Sequence, residues 1–388
     1  FARFHAFVVA LAQAGIETIV IERDDESVKA CEGRVRDYFA GRVKQGKMQP
    51  DAAAACEARV KVVTDWQQLA KVDLAIEAVF EDMAVKQEVF RKLDAVMKPG
   101  AILASNTSYL DLDAIAGVTK RPQDVLGLHF FSPAHVMRLL EVVRGKQSAA
   151  DVLATGLDLA QKLKKQPVVA ENAFGFIGNR IYSAYRKQCE FLLEEGATPE
   201  QVDEALTNFG FAMGPFAVAD MSGLDIAWRM RQSQAATRDP KDRYVTIPDE
   251  LCEKGRLGQK TGAGYYRYTK GERGGKPDPE VHELLKQASA AKGIERRAIG
   301  NDEIVKRALL SMVNESARLL SEGVAARASD IDVVMAHGYG FPRWEGGPAF
   351  YAQQMEPAAL AKDIAWLADK SGPGFRAGDA SALSPNRA

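Results

Sequence analysis

At 388 residues the chain exceeds what one ordinary hydrophobic core organises, so two or three domains are expected. Its hydrophobic and charged fractions, 46% and 27%, are those of a globular protein, and 51 basic against 52 acidic side chains give no reason to expect a general nucleic-acid surface. No apolar run approaches the roughly 20 residues that span a bilayer; the nearest, Phe7 to Ile16, is short and interrupted by Gln13.

Phe4, Phe7, Val8, Leu11 and Ala14 recur at helical spacing, and Gly15 is placed to end that helix. Thr18-Ile19-Val20-Ile21 follows as a strand that ends in the acidic Glu22. Val60 to Val63, Val72 to Val79 and Ala101 to Ala104 are further apolar runs of strand length, separated by amphipathic helices. Near-continuous apolar strands alternating with helices predict a parallel sheet covered on both faces. The fold class is therefore α/β, a Rossmann-like doubly wound sheet. Val125 to Phe131 and Leu139 to Val143 are strands joined by too short a connection for a helical crossover, so they are expected to pair antiparallel. Pro167 to Val169 adds a further short strand.

From Phe174 onward the pattern is helical and repeats itself. Glu190-Phe191-Leu192-Leu193-Glu194-Glu195-Gly196 leads to Val202-Asp203, Gly210-Phe211 and Met213-Gly214-Pro215. Arg318-Leu319-Leu320-Ser321-Glu322-Gly323 leads to Ile331-Asp332, Gly340-Phe341-Pro342 and Gly346-Gly347-Pro348. Such self-similarity predicts two copies of one helical unit. The expected organisation is a dinucleotide domain over 1–170, a first helical domain over 171–269, a linker over 270–295 rich in Gly, Lys and Pro, a second helical domain over 296–371, and a loose tail over 372–388.

Cys31, Cys56, Cys189 and Cys252 lie far apart and fit no metal-ligand spacing, which reads as reduced thiols and no metal. With neither a signal peptide at the N-terminus nor a retention or peroxisomal signal in Asn386-Arg387-Ala388, a cytoplasmic location is expected. The chain opens without Met inside a helical pattern, which reads as a fragment.

His129 sits near the end of one strand, and Glu141 lies on the strand that returns beside it. A carboxylate there fixes the imidazole tautomer, the arrangement a general base needs to take a proton from an alcohol while hydride leaves its carbon. Ser105-Asn106-Thr107-Ser108 follows the strand at Ala101, where binding sites of parallel sheets lie. Asn179 opens the first long helix of the helical half.

Ala104-Ser105-Asn106-Thr107-Ser108, Gly127-Leu128-His129-Phe130-Phe131-Ser132-Pro133, Leu140-Glu141-Val142-Val143 and Gly175-Phe176-Ile177-Gly178-Asn179-Arg180 resemble the 3-hydroxyacyl-CoA dehydrogenases of fatty-acid β-oxidation, in order and separation as well as in kind. The doubled helical unit, with Tyr339-Gly340-Phe341-Pro342-Arg343-Trp344-Glu345-Gly346-Gly347-Pro348, looks like the dehydrogenase half of the multifunctional enzymes that fuse this activity to an enoyl-CoA hydratase. The resemblance implies oxidation of (3S)-3-hydroxyacyl-CoA by NAD, with His129 as general base and Glu141 orienting it. It implies that Ser108 and Asn179 hydrogen-bond the substrate's 3-oxygen. Asn106 and Glu81 would lie by the nicotinamide, Lys86 near the cofactor's edge, and Glu22 on the adenosine ribose. It further implies an acyl-CoA substrate and a monomer in which the tandem copy supplies the pairing surface of single-repeat relatives; a thiolase subunit is the partner that a docking role of the helical repeats would call for. An ordinary helix pair on a solvated face is the competing reading of Glu81 and Lys86.

One feature departs from the family. Its Gly-x-Gly-x-x-Gly loop cradles the cofactor pyrophosphate ahead of the first helix, and its last two glycines should fall at about Phe1 and Phe4, yet no glycine precedes Gly15. Weak NAD binding is expected from the text as written. The rivals are a related hydroxyacid dehydrogenase and a catalytically impaired fragment that serves as a docking module. Gly255 to Gly262 fails as a phosphate loop on spacing, and Arg42, Lys44 and Lys47 form a basic cluster that reads as a solvated helix face or a site for CoA phosphates.

Overall fold

The computed structural model describes residues 4–272 and 274–383. The chain divides into two compact units, one of residues 1–177 with 324–326, the other of residues 178–323 with 327–388.

In the first unit the elements run α1 (Phe4–Gln13), β1 (Thr18–Ile21), α2 (Asp25–Lys44), α3 (Pro50–Glu57), β2 (Val60–Val63), β3 (Leu74–Glu77), α4 (Met83–Val96), β4 (Ile102–Ser105), α5 (Leu112–Ala116), β5 (Val125–Phe130), β6 (Leu139–Arg144), α6 (Ala150–Lys162) and β7 (Gln166–Glu171). Strands β3, β4 and β5 pair in parallel, β5 and β6 antiparallel, and β6 and β7 in parallel. The short link between β5 and β6 permits the antiparallel pair, whereas β6 reaches β7 through α6, a crossover long enough for parallel pairing. β1 and β2 form a separate parallel pair. Among the described residues no strand hydrogen-bonds to both β1 and β3. Of the two positions where the glycine loop is expected to close, Phe1 lies outside the described residues and Phe4 is the first residue of α1.

Helices cover these strands because their apolar stripes have nowhere else to go. Leu126, Leu128, Leu140 and Val142 pack with Ile102, Val152 and Ala160 in one core, and Val20 and Val62 pack with Cys31, Val35 and Phe39 in another. Three of these helices start on an aspartate cap: Asp24, Asp82 and Asp111 accept backbone N–H groups from the first turns of α2, α4 and α5.

The second unit is helical: α7 (Gly178–Glu195), α8 (Pro199–Phe209), α9 (Pro215–Ser222), α10 (Leu224–Ser233), α11 (Ile247–Glu253), α12 (Pro279–Ala291), α13 (Asn301–Ser321), α14 (Ala328–Gly338), α15 (Pro348–Gln353) and α16 (Pro357–Ser371). The sequence repeat is a structural one. Asp203 on α8 accepts from the N–H groups of Phe216 and Ala217 at 2.9 and 2.8 Å, in the first turn of α9. Asp332 on α14 accepts from Ala349 and Phe350 at 2.8 and 3.0 Å, in the first turn of α15. Both carboxylates satisfy the otherwise unpaired donors of a helix start. A Cβ on Gly214 would lie 2.3 Å from Asp203, and one on Gly347 would lie 2.2 Å from Asp332, which is why a Gly-Pro pair recurs there.

Two stretches differ from expectation. The supposed linker contains α12, whose Val281, Leu284, Leu285 and Ala288 are buried, so an exposed start enriched in Gly and Lys concealed an amphipathic helix behind it. The supposed loose tail returns to α13: Gly378 donates to Asn314, and Leu383 is buried beside Leu360 and Ile364. Among the described residues no helix is long and apolar enough to cross a membrane.

Candidate active site

Antiparallel register sets His129 directly opposite Glu141, so both side chains project from the same face of the sheet. His129 Nδ1 lies 2.6 Å from Glu141 Oε2, and both residues are buried. The second carboxylate oxygen accepts from the backbone N–H of Ile177 at 3.2 Å. A carboxylate at Nδ1 selects the tautomer that carries its proton there, leaving the Nε2 lone pair to meet a substrate proton. The rings of Phe131 and Phe176 lie 4.6 and 5.5 Å from the imidazole and restrict its rotation. Phe176 adopts φ 48°, a conformation rare outside glycine, directly after Gly175 at φ 74°. This strained corner delivers both the Phe176 ring to His129 and the Ile177 N–H to Glu141. Sequence reasoning missed Phe176; the glycine before it was the available signal.

A second network lies at the carboxyl ends of β3 and β4. Glu77, which closes β3, accepts from Lys86 Nζ at 2.8 Å, from Ser105 Oγ at 2.7 Å and from the Val79 N–H at 2.6 Å. Lys86 is fully buried and also lies 3.4 Å from Glu81. Glu81 Oε1 accepts from Thr107 Oγ1 and from the N–H groups of Ser108 and Tyr109, at 2.7, 2.7 and 3.0 Å. Lys86 is thus no member of a solvated helix pair: it is an internal strut whose two carboxylates shape the Asn106–Tyr109 loop. Glu77, unremarked in the sequence, anchors it. An acid in the middle of the apolar run Val72 to Val79 was the signal. Asn106 joins the two networks, donating its N–H to the Glu77 carbonyl and accepting from the N–H of Phe130, next to His129, at 2.9 Å each.

Ser108, Asn106, Glu81 and Lys86 are therefore brought together, and Asn106 ties them to the His129–Glu141 pair. Glu22 stands apart from both networks at the end of β1, its N–H bonded to the Val63 carbonyl. Its basic neighbour Arg23 is engaged by Asp24 at 2.8 Å. Asn179 belongs to the helical unit, at the start of α7, and accepts from the Tyr339 hydroxyl at 2.8 Å.

Residues 5–173 match the family described as 3-hydroxyacyl-CoA dehydrogenase, NAD binding domain, and residues 175–268 match 3-hydroxyacyl-CoA dehydrogenase, C-terminal domain. The chain belongs to the 3-hydroxyacyl-CoA dehydrogenase family. It is 45% identical over 360 residues to the peroxisomal bifunctional enzyme of Danio rerio, a match over 90% of this chain and 49% of that protein. The (S)-3-hydroxybutyryl-CoA dehydrogenase PaaH1 of Ralstonia eutropha is similar at 32% identity and a TM-score of 0.63, over 69% of this chain and 95% of that one. The dehydrogenase part of multifunctional enzyme 1 from C. elegans is similar at 29% identity and a TM-score of 0.66, over 97% of this chain and 85% of that one. The chain spans about half the length of the curated relatives it matches.

The family's cofactor is NAD. The described residues fit it at both ends. Glu22 is an acid at the end of β1, of the kind that suits ribose hydroxyls, with its neighbour Arg23 engaged by Asp24, and Asn106 with Glu81 offers polar groups at the carboxyl edge of the parallel strands. The cytoplasmic location is corrected: the curated relatives are named for peroxisomes and glyoxysomes. The expectation rested on targeting signals sought at the two ends of a chain that spans about half the length of these relatives, where their absence carries no information on location.

Proposed function

We propose that this chain oxidises (3S)-3-hydroxyacyl-CoA to 3-oxoacyl-CoA with NAD+, as the dehydrogenase portion of a bifunctional hydratase/dehydrogenase of β-oxidation. The observation that carries the reading is the buried His129–Glu141 pair at 2.6 Å, placed at the carboxyl edge of an NAD-type sheet. Bound NAD+ supplies the hydride acceptor. His129 Nε2 takes the hydroxyl proton as the C–H electron pair leaves as hydride, and the alcohol becomes a ketone. Glu141 balances the imidazolium that forms and keeps its ring from turning. Ser108 and Asn179 hydrogen-bond the 3-oxygen, with the Ser108 loop held in shape by Glu81. Glu22, Glu81 and Asn106 hold the cofactor, and Lys86 acts through the carboxylates of Glu77 and Glu81.

A monomer is the state this organisation favours, because the helical unit pairs two copies within itself. Arg180 on α7 bonds Glu315 at 2.6 Å and Glu322 through two nitrogens. Arg307 on α13, its counterpart in the second copy, bonds Glu195 at 2.6 and 3.1 Å and Gln188 at 3.3 Å. Such reciprocal contacts are those of an isologous dimer interface, here closed inside one chain. The product is a β-ketothioester, the group a thiolase cleaves, and a thiolase subunit is the partner that chemistry calls for.

The test is NADH oxidation by the protein with acetoacetyl-CoA and, separately, with free acetoacetate. Turnover of the CoA ester alone supports the reading. Equal turnover of the free acid would replace it with a general hydroxyacid dehydrogenase.

A further inference from the structure

Asn179 is held by a residue from the other helical copy. Tyr339 caps the end of α14, and its hydroxyl donates to Asn179 Oδ1 at 2.8 Å. Its ring is wedged over the start of α7: a Cβ on Gly178 would lie 2.3 Å from Tyr339 Cε2, and the Tyr182 ring lies 5.6 Å away at 33°. Gly178 is therefore required to admit the ring, and the ring in turn fixes the hydroxyl.

Asn179 offers one acceptor, Oδ1, and one donor group, Nδ2. A substrate oxygen, whether hydroxylate or ketone, needs a donor. Tyr339 donates to the acceptor end, although a phenol oxygen could equally accept from Nδ2, so what this bond and the wedged ring fix is the place of the carboxamide.

The internal repeat supplies a comparison. The reciprocal arginine contacts equate Arg180 with Arg307, hence Asn179 with Lys306 and Gly178 with Val305. The Gly-Phe pairs equate Tyr339 with Phe209, and the ring contact of Phe211 with Phe341 at 5.3 Å lies between them. The mirrored location is a groove lined by Phe209, Val305 and Lys306. There the hydroxyl is missing, and the cation is turned to Asp363 at 2.6 Å. Of two equivalent places in one fold, the hydroxyl–amide pair is present only at the one containing Asn179.

We propose that Tyr339 is a positioning residue for Asn179: its hydroxyl and its wedged ring hold the carboxamide in place at the start of α7, where it is to meet the substrate's 3-oxygen. The second helical copy then contributes to the reaction and does more than support the first. The proposal rests on the substrate-binding reading of Asn179 given above.

The experiment is a double-mutant cycle on the full chain with acetoacetyl-CoA and NADH, using Tyr339→Phe, Asn179→Ala and both together. Tyr339→Phe should lower kcat about tenfold, the worth of one positioning hydrogen bond, with KM changed by less than about twofold. Asn179→Ala should lower kcat at least as far, and the double variant should match Asn179→Ala alone, because the tyrosine acts through the amide. A thermal midpoint for Tyr339→Phe close to the parent's would separate this from a loss of folding. Multiplying effects in the double variant would overturn the proposal, as would an unchanged kcat in Tyr339→Phe beside a damaged Asn179→Ala. If Asn179→Ala itself kept the parent turnover, the substrate-binding reading of Asn179 would fail and the proposal with it.

Discussion

Lys86 has no exposed surface, and its ammonium is met by Glu77 and Glu81. Burying a cation beside two acids is tolerable only when the acids have further donors, and Glu77 has Ser105 Oγ and the Val79 N–H. Replacing Lys86 by Met would strand the buried Glu77 carboxylate. The expected cost is about 3 to 5 kcal/mol in urea unfolding, with most of it recovered when Glu77→Gln is added. A Lys86→Met protein of parent stability would mean that the lysine serves the cofactor alone. At this scale the sequence was uneven. The residue types and order that flagged His129, Glu141, Ser108 and Asn179 are local text. The role of Lys86 was not, because whether a lysine is a strut or a surface group depends on Glu77 and Ser105, which come from two different strands. Phe176 was signalled only by the glycine before it, and its backbone conformation is what sets it apart.

Among the elements, the strands were legible because a sheet covered on both faces writes itself as apolar runs. The misread ones were α12 and the returning tail, where burial is decided by partners distant in the chain. The turn from α8 to α9 and its copy from α14 to α15 carry a measurable consequence. Burial pushes the carboxyls of Asp203 and Asp332 up to about 6 each, despite the backbone N–H groups that favour their charged forms. An acid whose folded pKa exceeds its unfolded one binds more protons when folded. Its contribution to stability is therefore fully present below the unfolded value of about 3.9 and is lost as pH rises through about 6. Relative to Asp332→Asn, the parent should lose on the order of 2 kcal/mol of unfolding free energy between pH 4 and pH 7. A difference between the two proteins that stays flat over that range would show that the N–H donors outweigh burial.

For the whole chain, the repeat was visible in the text, but the way its copies meet was not. A sequence shows that two helices are alike, whereas the reciprocal Arg180 and Arg307 contacts exist only once those helices pack. Arg307 is fully buried in that seam. Arg307→Ala is expected to cost about 2 to 4 kcal/mol in denaturant unfolding, at the lower side of a broken buried ion pair because Arg243 and Arg297 also reach Glu195. A cost below about 0.5 kcal/mol would remove the seam as a source of stability. Sedimentation of the parent should give the mass of one chain, and a stable dimer would contradict an interface already closed internally.

The catalytic account stands on His129, and the most direct test is the turnover of His129→Gln with acetoacetyl-CoA and NADH, read alongside acetoacetyl-CoA affinity. Glutamine fills similar space but cannot carry the proton. The expected result is a loss of kcat of about 100-fold or more, with the dissociation constant of the CoA ester nearly unchanged. A variant that turns over as fast as the parent would show that the buried His129–Glu141 pair is structural and that the base lies elsewhere.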